Sequence, residues 1–117
     1  MISGPGKFLR DKVMKVRAYL HKMKGFTEQK KLSESDIEEI HEIVDTIESA
    51  TCSIEVMALG IEFAGHNPFL IDGATDLRSV CMAMRFTLDT NDHDTFREFN
   101  QLYGKMSSIV DQTFYVV

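Results

Sequence analysis

The chain has 117 residues, 44% of them hydrophobic and 26% charged, proportions that are ordinary for one globular domain. Intrinsic disorder is excluded because it requires low hydrophobicity together with a high net charge, whereas the net charge here is only −5. The two cysteines, Cys52 and Cys81, are too few for a disulfide scaffold or a cysteine-rich zinc site. We therefore predict a single domain over residues 1–117, with both cysteines as buried free thiols.

The sequence shows neither a secretory leader nor a membrane-spanning segment. The residues after Met1 are Ile2, Ser3, Gly4 and Pro5, and no run of about 7 to 15 apolar residues follows them. No stretch approaches the roughly 18 apolar residues that a transmembrane helix needs. We expect a cytoplasmic protein, or one that is intracellular in a host.

Charge is distributed very unevenly along the chain. Residues 1–31 contain nine Lys or Arg and two acidic residues, a net charge of +7. Residues 32–117 contain four Lys or Arg and sixteen acidic residues, a net charge of −12. A separation this strong indicates that the basic segment has a partner, either inside the fold or outside it.

The first predicted helix covers residues 5–24 and has a basic outer face. Its apolar residues share one side at 100° per residue: Phe8, Leu9, Val13, Val16, Tyr19, Leu20 and Met23. Apart from Lys12, its basic residues lie outside that arc. Gly25 is placed to end the helix, because glycine adopts the left-handed conformation after a helix at little cost.

The second helix carries the strongest periodic pattern. Ser35 and Glu38 form a capping box at its start, and residues 65–68 contain the glycine and proline that end it. If it is helical to Ala64, it is about 45 Å long at 1.5 Å per residue. Residues recur at alternating spacings of three and four, as in a coiled-coil seam: Ile37, Ile40, Val44, Ile47, Thr51, Ile54, Ala58 and Ile61.

The outer side of this second helix changes character along its length. Its first half is acidic, with Glu38, Glu42 and Asp45 on one line and Glu39 and Glu48 beside them. Its far end is apolar, because Val56, Leu59 and Phe63 lie outside the seam. The far end is therefore predicted to be buried on more than one side.

Two further helices complete the predicted fold. The third begins at Asp72 or Thr75 and runs to about Leu88, and its residues Met82 and Phe86 form a second apolar side. The fourth covers residues 95–113, and residues 114–117 are β-branched or aromatic, which favours an extended tail. We predict an all-α, four-helix bundle-like domain with one long central helix and a short extended C-terminal tail.

Motifs of enzyme chemistry are missing from the sequence. There is no phosphate-binding loop, nucleophile elbow, zinc-protease motif or calcium-binding loop. Glu38 and His41 have the Glu-x-x-His spacing of di-iron bundles, but that chemistry requires two such pairs and two further glutamates facing the core. No second pair exists, and both residues lie on the polar side of the helix. We interpret them as solvated residues and predict no cofactor, no metal and no enzymatic activity.

The six residues from His41 to Thr46, His-Glu-Ile-Val-Asp-Thr, resemble the phospho-accepting box of histidine kinases. The resemblance implies that His41 would accept a phosphoryl group with Glu42 as the base. The proline that commonly closes the box is missing, and the chain contains no ATP-binding domain. A single exposed histidine on an acidic helix face also needs no function.

The basic face of the first helix has several interpretations. It could bind nucleic acid, an anionic membrane surface or an acidic protein. In the simplest interpretation, its apolar side packs and its charges face water or the acidic stripe of the second helix. The residues that we predict to bind a partner are Lys7, Arg10, Arg17, Lys24, Glu38, Glu42, Asp45 and Glu48.

These patterns favour a non-enzymatic interaction protein, an adaptor or inhibitor of the phage or virus type, that binds a macromolecular partner, most simply a protein. The alternative is a helical binding module, a sponge or sensor, for a small anionic ligand such as a nucleotide. We also expect a homodimer, because a patch of exposed apolar residues is covered when a two-fold axis presents it twice. The predicted interface comprises Val56, Leu59, Phe63, Met82 and Phe86.

Overall fold

The computed structural model describes residues 4–59 and 70–114. These residues form four helices: α1 (Gly4–Thr27), α2 (Glu34–Ala58), α3 (Leu70–Thr90) and α4 (Thr95–Thr113). No strand occurs in the described ranges. The all-α prediction is confirmed, and the bounds predicted for the fourth helix are those of α4. The predicted tail at 115–117 lies outside the described residues, whereas Phe114 is buried beside the end of α4.

The helices pack as a closed bundle in chain order. α1 packs against α2, α2 against α3, and α3 against α4, and α1 returns to contact α4. The bundle is elongated, with principal extents of 47 × 21 × 18 Å. Each helix therefore has two neighbours and one outer face that is left to solvent.

The core follows the periodicity of the sequence. Within the described residues, the α2 seam from Ile40 to Ala58 is buried, and Ile37 packs against it in a partly buried position. Thr51 is the polar member of the seam, and its hydroxyl donates a hydrogen bond of 2.6 Å to the carbonyl of Ile47. The hydroxyl is thus satisfied within its own helix, as a buried polar group requires. The other helices contribute Val13, Val16, Leu20, Met23, Leu77, Cys81, Met84, Leu88, Phe99, Met106 and Val110.

Several helix ends differ from the sequence prediction, and α3 begins at Leu70, before the predicted start at Asp72 or Thr75, and runs to Thr90 instead of Leu88. The capping box of α2 uses Ser33 and Asp36 instead of Ser35 and Glu38: the Asp36 amide donates to the Ser33 hydroxyl at 3.1 Å, and the Ser33 amide donates to the Asp36 carboxylate at 2.9 Å. α1 continues past Gly25 to Thr27 because no described glycine has a positive φ, so the left-handed stop does not form. In α2, the Asp36 carboxylate accepts from the N-cap amide as a glutamate side chain would, so Ser33 and Asp36 can form the capping box.

The helices are more equal in length than predicted. α2 is the longest with 25 residues, but α1 has 24. α2 ends at Ala58, with Leu59 at the C-cap position, and the predicted continuation to Ala64 lies outside the described residues. α1 is therefore long enough to cover nearly all of α2 within one chain.

α3 approaches α4 closely at Gly73. A Cβ added to this buried glycine would lie 2.6 Å from the Cβ of Thr113, which is shorter than real contacts allow. Gly104 is also helical, yet nothing lies within 4 Å of the Cβ that it could carry. Glycine at position 73 is therefore a packing requirement, whereas glycine at position 104 lowers helix stability without packing a neighbour.

Gly73→Ala should lower the free energy of unfolding by about 1 to 3 kcal/mol, because α3 must move away from α4 to admit the methyl group. Gly104→Ala, the matched control on an exposed helical surface, should raise it by about 0.5 to 1 kcal/mol. Urea unfolding followed by circular dichroism measures both changes. Equal effects of the two substitutions would contradict the close contact between Gly73 and Thr113.

Candidate functional site

A ladder of ion pairs joins α2 to α3. His41 Nε2 lies 3.1 Å from Asp89, and Arg78 lies 3.1 Å from Glu55. Between these pairs, Arg85 contacts two carboxylates of α2. Residue numbers rise along α2 as they fall along α3, so the ladder shows that the two helices are antiparallel.

Arg85 is the central side chain of the ladder. Its guanidinium lies 2.7 Å from Asp45 and 2.8 Å from Glu48. The hydrogen bond to Glu48 is the main reason that the pKa of Arg85 is raised, so the side chain keeps its charge. Asp45 and Glu48, two of the predicted partner-binding residues, therefore pair with α3 within the chain. Glu38 and Glu42, which were predicted with them, are exposed.

Four large apolar side chains are exposed beside this ladder. Val56 and Leu59 on α2 and Met82 and Phe86 on α3 are each between 66% and 74% exposed. Met82 and Phe86 are one turn apart, and Phe86 directly follows Arg85. We call these four residues, with the ladder between them, the outer α2/α3 face. Phe63, the fifth residue of the predicted interface, lies outside the described residues.

The basic side chains of α1 have no carboxylate partner among the described residues. The α1 sequence contains seven basic residues and one acidic residue, a net charge of +6. The ion pairs of the described ranges join α2 to α3 or lie within residues 93–97. Arg17 donates instead to the carbonyl of Phe114 at 3.1 Å. Exposed side chains of this basic face are Lys7, Arg10, Lys15, Arg17, Lys22 and Lys24.

Two apolar side chains lie among these basic residues. Phe8 is 54% exposed and Met14 is 50% exposed. The prediction that Phe8 belongs to the buried side of the helix is wrong. Among the described side chains of α1, Val13 is the first that lies in the buried core. The Lys12 ammonium lies 5.2 Å from the centroid of the Phe8 ring, so the ring carries a cation beside it.

His41 is held in place by α3 instead of being a solvated residue. It is partly buried and paired with Asp89, and Glu38, its expected neighbour in a metal motif, is exposed. Elsewhere, Asp92, His93 and Asp94 place ligand atoms within 4.8 Å of one another, but all three come from one turn before α4. That turn is explained by local hydrogen bonds, since Asp92 accepts from the Asp94 amide at 2.9 Å.

Shallow grooves run along the α3/α4 junction. One, of about 310 Å³, is lined by Asp72, Asp76, Ile109 and Gln112 together with the Gly73–Thr113 contact. A second, of about 400 Å³, extends past Asp76 to Lys105. Asp72 and Asp76 in the first groove would repel an anionic ligand, whereas the second groove has one carboxylate, Asp76, and one cation, Lys105.

Comparison with protein families, curated proteins and solved structures found no match to this chain. No described helix is both long enough and apolar enough to cross a bilayer.

The two cysteines differ in accessibility. Cys81 is fully buried in α3, as predicted, and burial raises the pKa of its thiol to about 12. Cys52 is only partly buried on α2, so the prediction that both thiols are buried is wrong for this residue. Cys52 lies outside the buried seam, one turn before Val56, which is 70% exposed.

A thiol reagent at pH 8 should label Cys52 much faster than Cys81, and Cys52→Ser should leave only the slow phase.

Because the folded thiol of Cys81 has a pKa above the unfolded value, it stabilises the fold fully below about pH 8.5. That stability is lost as the pH rises towards 12, since unfolding releases the proton. Cys81→Ala should flatten the fall in stability over this pH range. Equal labelling rates for the two thiols would contradict this assignment.

Proposed function

We propose that this chain is a non-enzymatic interaction protein, an adaptor that binds a negatively charged partner through the basic face of α1. The observation that carries the proposal is the separation of charge within the bundle. α3 supplies the arginines that pair with α2, and the described ranges offer the α1 cations no carboxylate within 4.0 Å.

The separation has a physical consequence for binding. Six exposed cations on one helix create a positive potential that is not cancelled by close pairs. Such a field raises the association rate of a partner of opposite charge and gives a salt-dependent affinity. Electrostatic attraction of this kind does not require a pocket, which agrees with the convex surface of α1. An interaction protein therefore fits the geometry better than an enzyme.

A small anionic ligand such as a nucleotide is the alternative. Small ligands bind in concave sites that bury most of their surface, whereas the α1 cations lie on an outward-facing helix. The groove lined by Asp72 and Asp76 has the wrong sign of charge, and the groove lined by Lys105 also contains Asp76. Thermal stabilisation of the protein by nucleotides would favour this alternative.

Lys15 and Lys22 are the residues with which to test the proposal, because both are exposed and two turns apart. Despite a net charge of −5, the protein should bind a sulfonate cation-exchange resin at pH 7 and low salt. Lys15→Glu with Lys22→Glu should abolish retention. Arg97→Glu with Lys105→Glu changes the net charge by the same amount, but on α4, and this variant should still bind the resin.

Equal behaviour of the two double variants would show that the basic face of α1 is not what binds. With the same proteins as baits in cell extract, the partner should be captured by the wild type and by the α4 variant and released by salt. Loss of that partner from the α4 variant as well would count against the proposal.

We further propose that a second copy of the chain covers the outer α2/α3 face. Exposed apolar side chains of this size on one face are an aggregation liability unless they are covered. The face is acidic along α2, at Asp45 and Glu48, and basic along α3, at Arg85. A two-fold axis parallel to the helices brings α2 of one copy against α3 of the other, and Asp45 and Glu48 are already paired with Arg85 within each chain when the apolar side chains are covered. α1 contacts α2 and α4 in each copy, so both basic faces remain available.

The dimer should be lost in Met82→Glu with Phe86→Glu, because burying unpaired carboxylates is costly. Met14→Glu, a substitution at an equally helical but distant exposed methionine, is the matched control and should remain dimeric. Sedimentation velocity at micromolar concentration distinguishes the states, and circular dichroism checks that helix content is kept. A monomeric wild-type protein would refute self-association and leave the proposal for α1 standing.

A further inference from the structure

We propose that the partner of the basic face of α1 is the surface of an anionic phospholipid bilayer. This inference rests on the proposed function and names the partner of the same face. Three properties of α1 support it: the line of lysines, the apolar side chains between them and the shape of the surface around them.

The lysines lie along the outside of the helix. Lys15 and Lys22 are seven residues apart and lie within about 20° of each other around the helix, and Lys7 lies about 60° to 80° from them on the same exposed side. The line from Lys7 to Lys22 is about 22 Å long at 1.5 Å per residue. Lysine ammonium groups on long stems are well suited to contacting phosphate groups at a bilayer surface while the backbone stays outside.

Phe8 and Met14 supply an apolar component on the same helix. Both are about half exposed, so their side chains can enter the headgroup region without unpacking the core. Val13, Val16 and Leu20 remain buried against the bundle and are not needed at the surface. Peripheral membrane proteins bind bilayers through this combination of basic residues and exposed apolar side chains. Binding to nucleic acid would gain little from a methionine.

The surroundings of α1 favour a flat partner. α2 and α4, which pack on either side of α1, expose carboxylates at Glu39, Glu42 and Asp111. A partner that encloses the helix, such as a nucleic-acid groove, would bring phosphates against these carboxylates. A flat surface touches the outer line of α1 and leaves its neighbours further away.

The dimensions of the bundle separate α1 from the acidic remainder of the chain. The bundle is 21 × 18 Å across its long axis, whereas electrostatic interactions at physiological salt are screened over about 8 Å. Carboxylates on the far side of the molecule are therefore screened from a surface that contacts α1. The molecule lies on its side, with its 47 Å axis parallel to the membrane.

The test is co-sedimentation of the full chain with vesicles. Phosphatidylcholine vesicles containing about 30% phosphatidylglycerol, in about 0.1 M salt, should bind the protein, and pure phosphatidylcholine vesicles should not. Each lysine contributes about fivefold to binding, so Lys15→Glu with Lys22→Glu should weaken it by at least about 25-fold. Arg97→Glu with Lys105→Glu, which reduces the charge elsewhere, should leave most of the binding intact.

Phe8→Ser with Met14→Ser separates lipid binding from general attraction to polyanions. This variant keeps every charge, so its retention on a sulfonate resin should be unchanged. Its binding to the anionic vesicles should fall, because insertion of the two apolar side chains is lost. Unchanged vesicle binding would overturn the role of these side chains and with it the inference.

Other polyanions distinguish this inference from the proposed function. If the wild type fails to bind the vesicles but binds duplex DNA or polyglutamate through Lys15 and Lys22, the lipid inference is wrong and the proposed function stands. If it binds none of the three, both are wrong.

Discussion

The contact of Arg85 with Asp45 and Glu48 determines how charge is distributed over the whole bundle. The acidic stripe of α2 has two basic neighbours available, the lysine-rich α1 and the arginines of α3. Two of its carboxylates, Asp45 and Glu48, pair with Arg85 of α3, and no ion pair of the described residues joins the stripe to α1. The cations of α1 are therefore left facing solvent. A chain of net charge −5 thus presents one strongly positive surface, which a calculation from composition alone would not suggest.

The helical fold could be predicted from the sequence because its periodicity is regular and its core is formed by that periodicity. The seam of α2 and the bounds of α4 are confirmed, since in both segments apolar residues recur without interruption. The ends of helices were less predictable. Ser33 and Ser35 both have an acidic residue three positions later, and sequence alone does not choose between them. Gly25 stays helical because the helix-stopping conformation of glycine is an option, not a requirement.

The candidate sites depended on tertiary pairing and were harder to predict. Asp45 and Glu48 pair with Arg85, a contact that the sequence of the second helix alone does not reveal. A signal was present, however: residues 32–117 contain only four basic residues, and two of them, Arg78 and Arg85, are two turns apart on one helix. Arginines at that spacing can meet the spaced carboxylates of an antiparallel helix. The exposure of Met82 and Phe86 agrees with the second apolar side predicted for the third helix.

The order of packing also has a consequence for how the chain folds. Three of the four interfaces join helices that are adjacent in sequence, and only that between α1 and α4 brings the two ends together. The bond from Arg17 to the Phe114 carbonyl spans 97 residues, the longest separation among the described side-chain hydrogen bonds. Short-range hairpins lose little chain entropy when they form, so we expect rapid folding in which closure of the ring of helices comes last. Substitutions at the interface between α1 and α4 would then change mainly the unfolding rate, and this interface is where the bundle would open first.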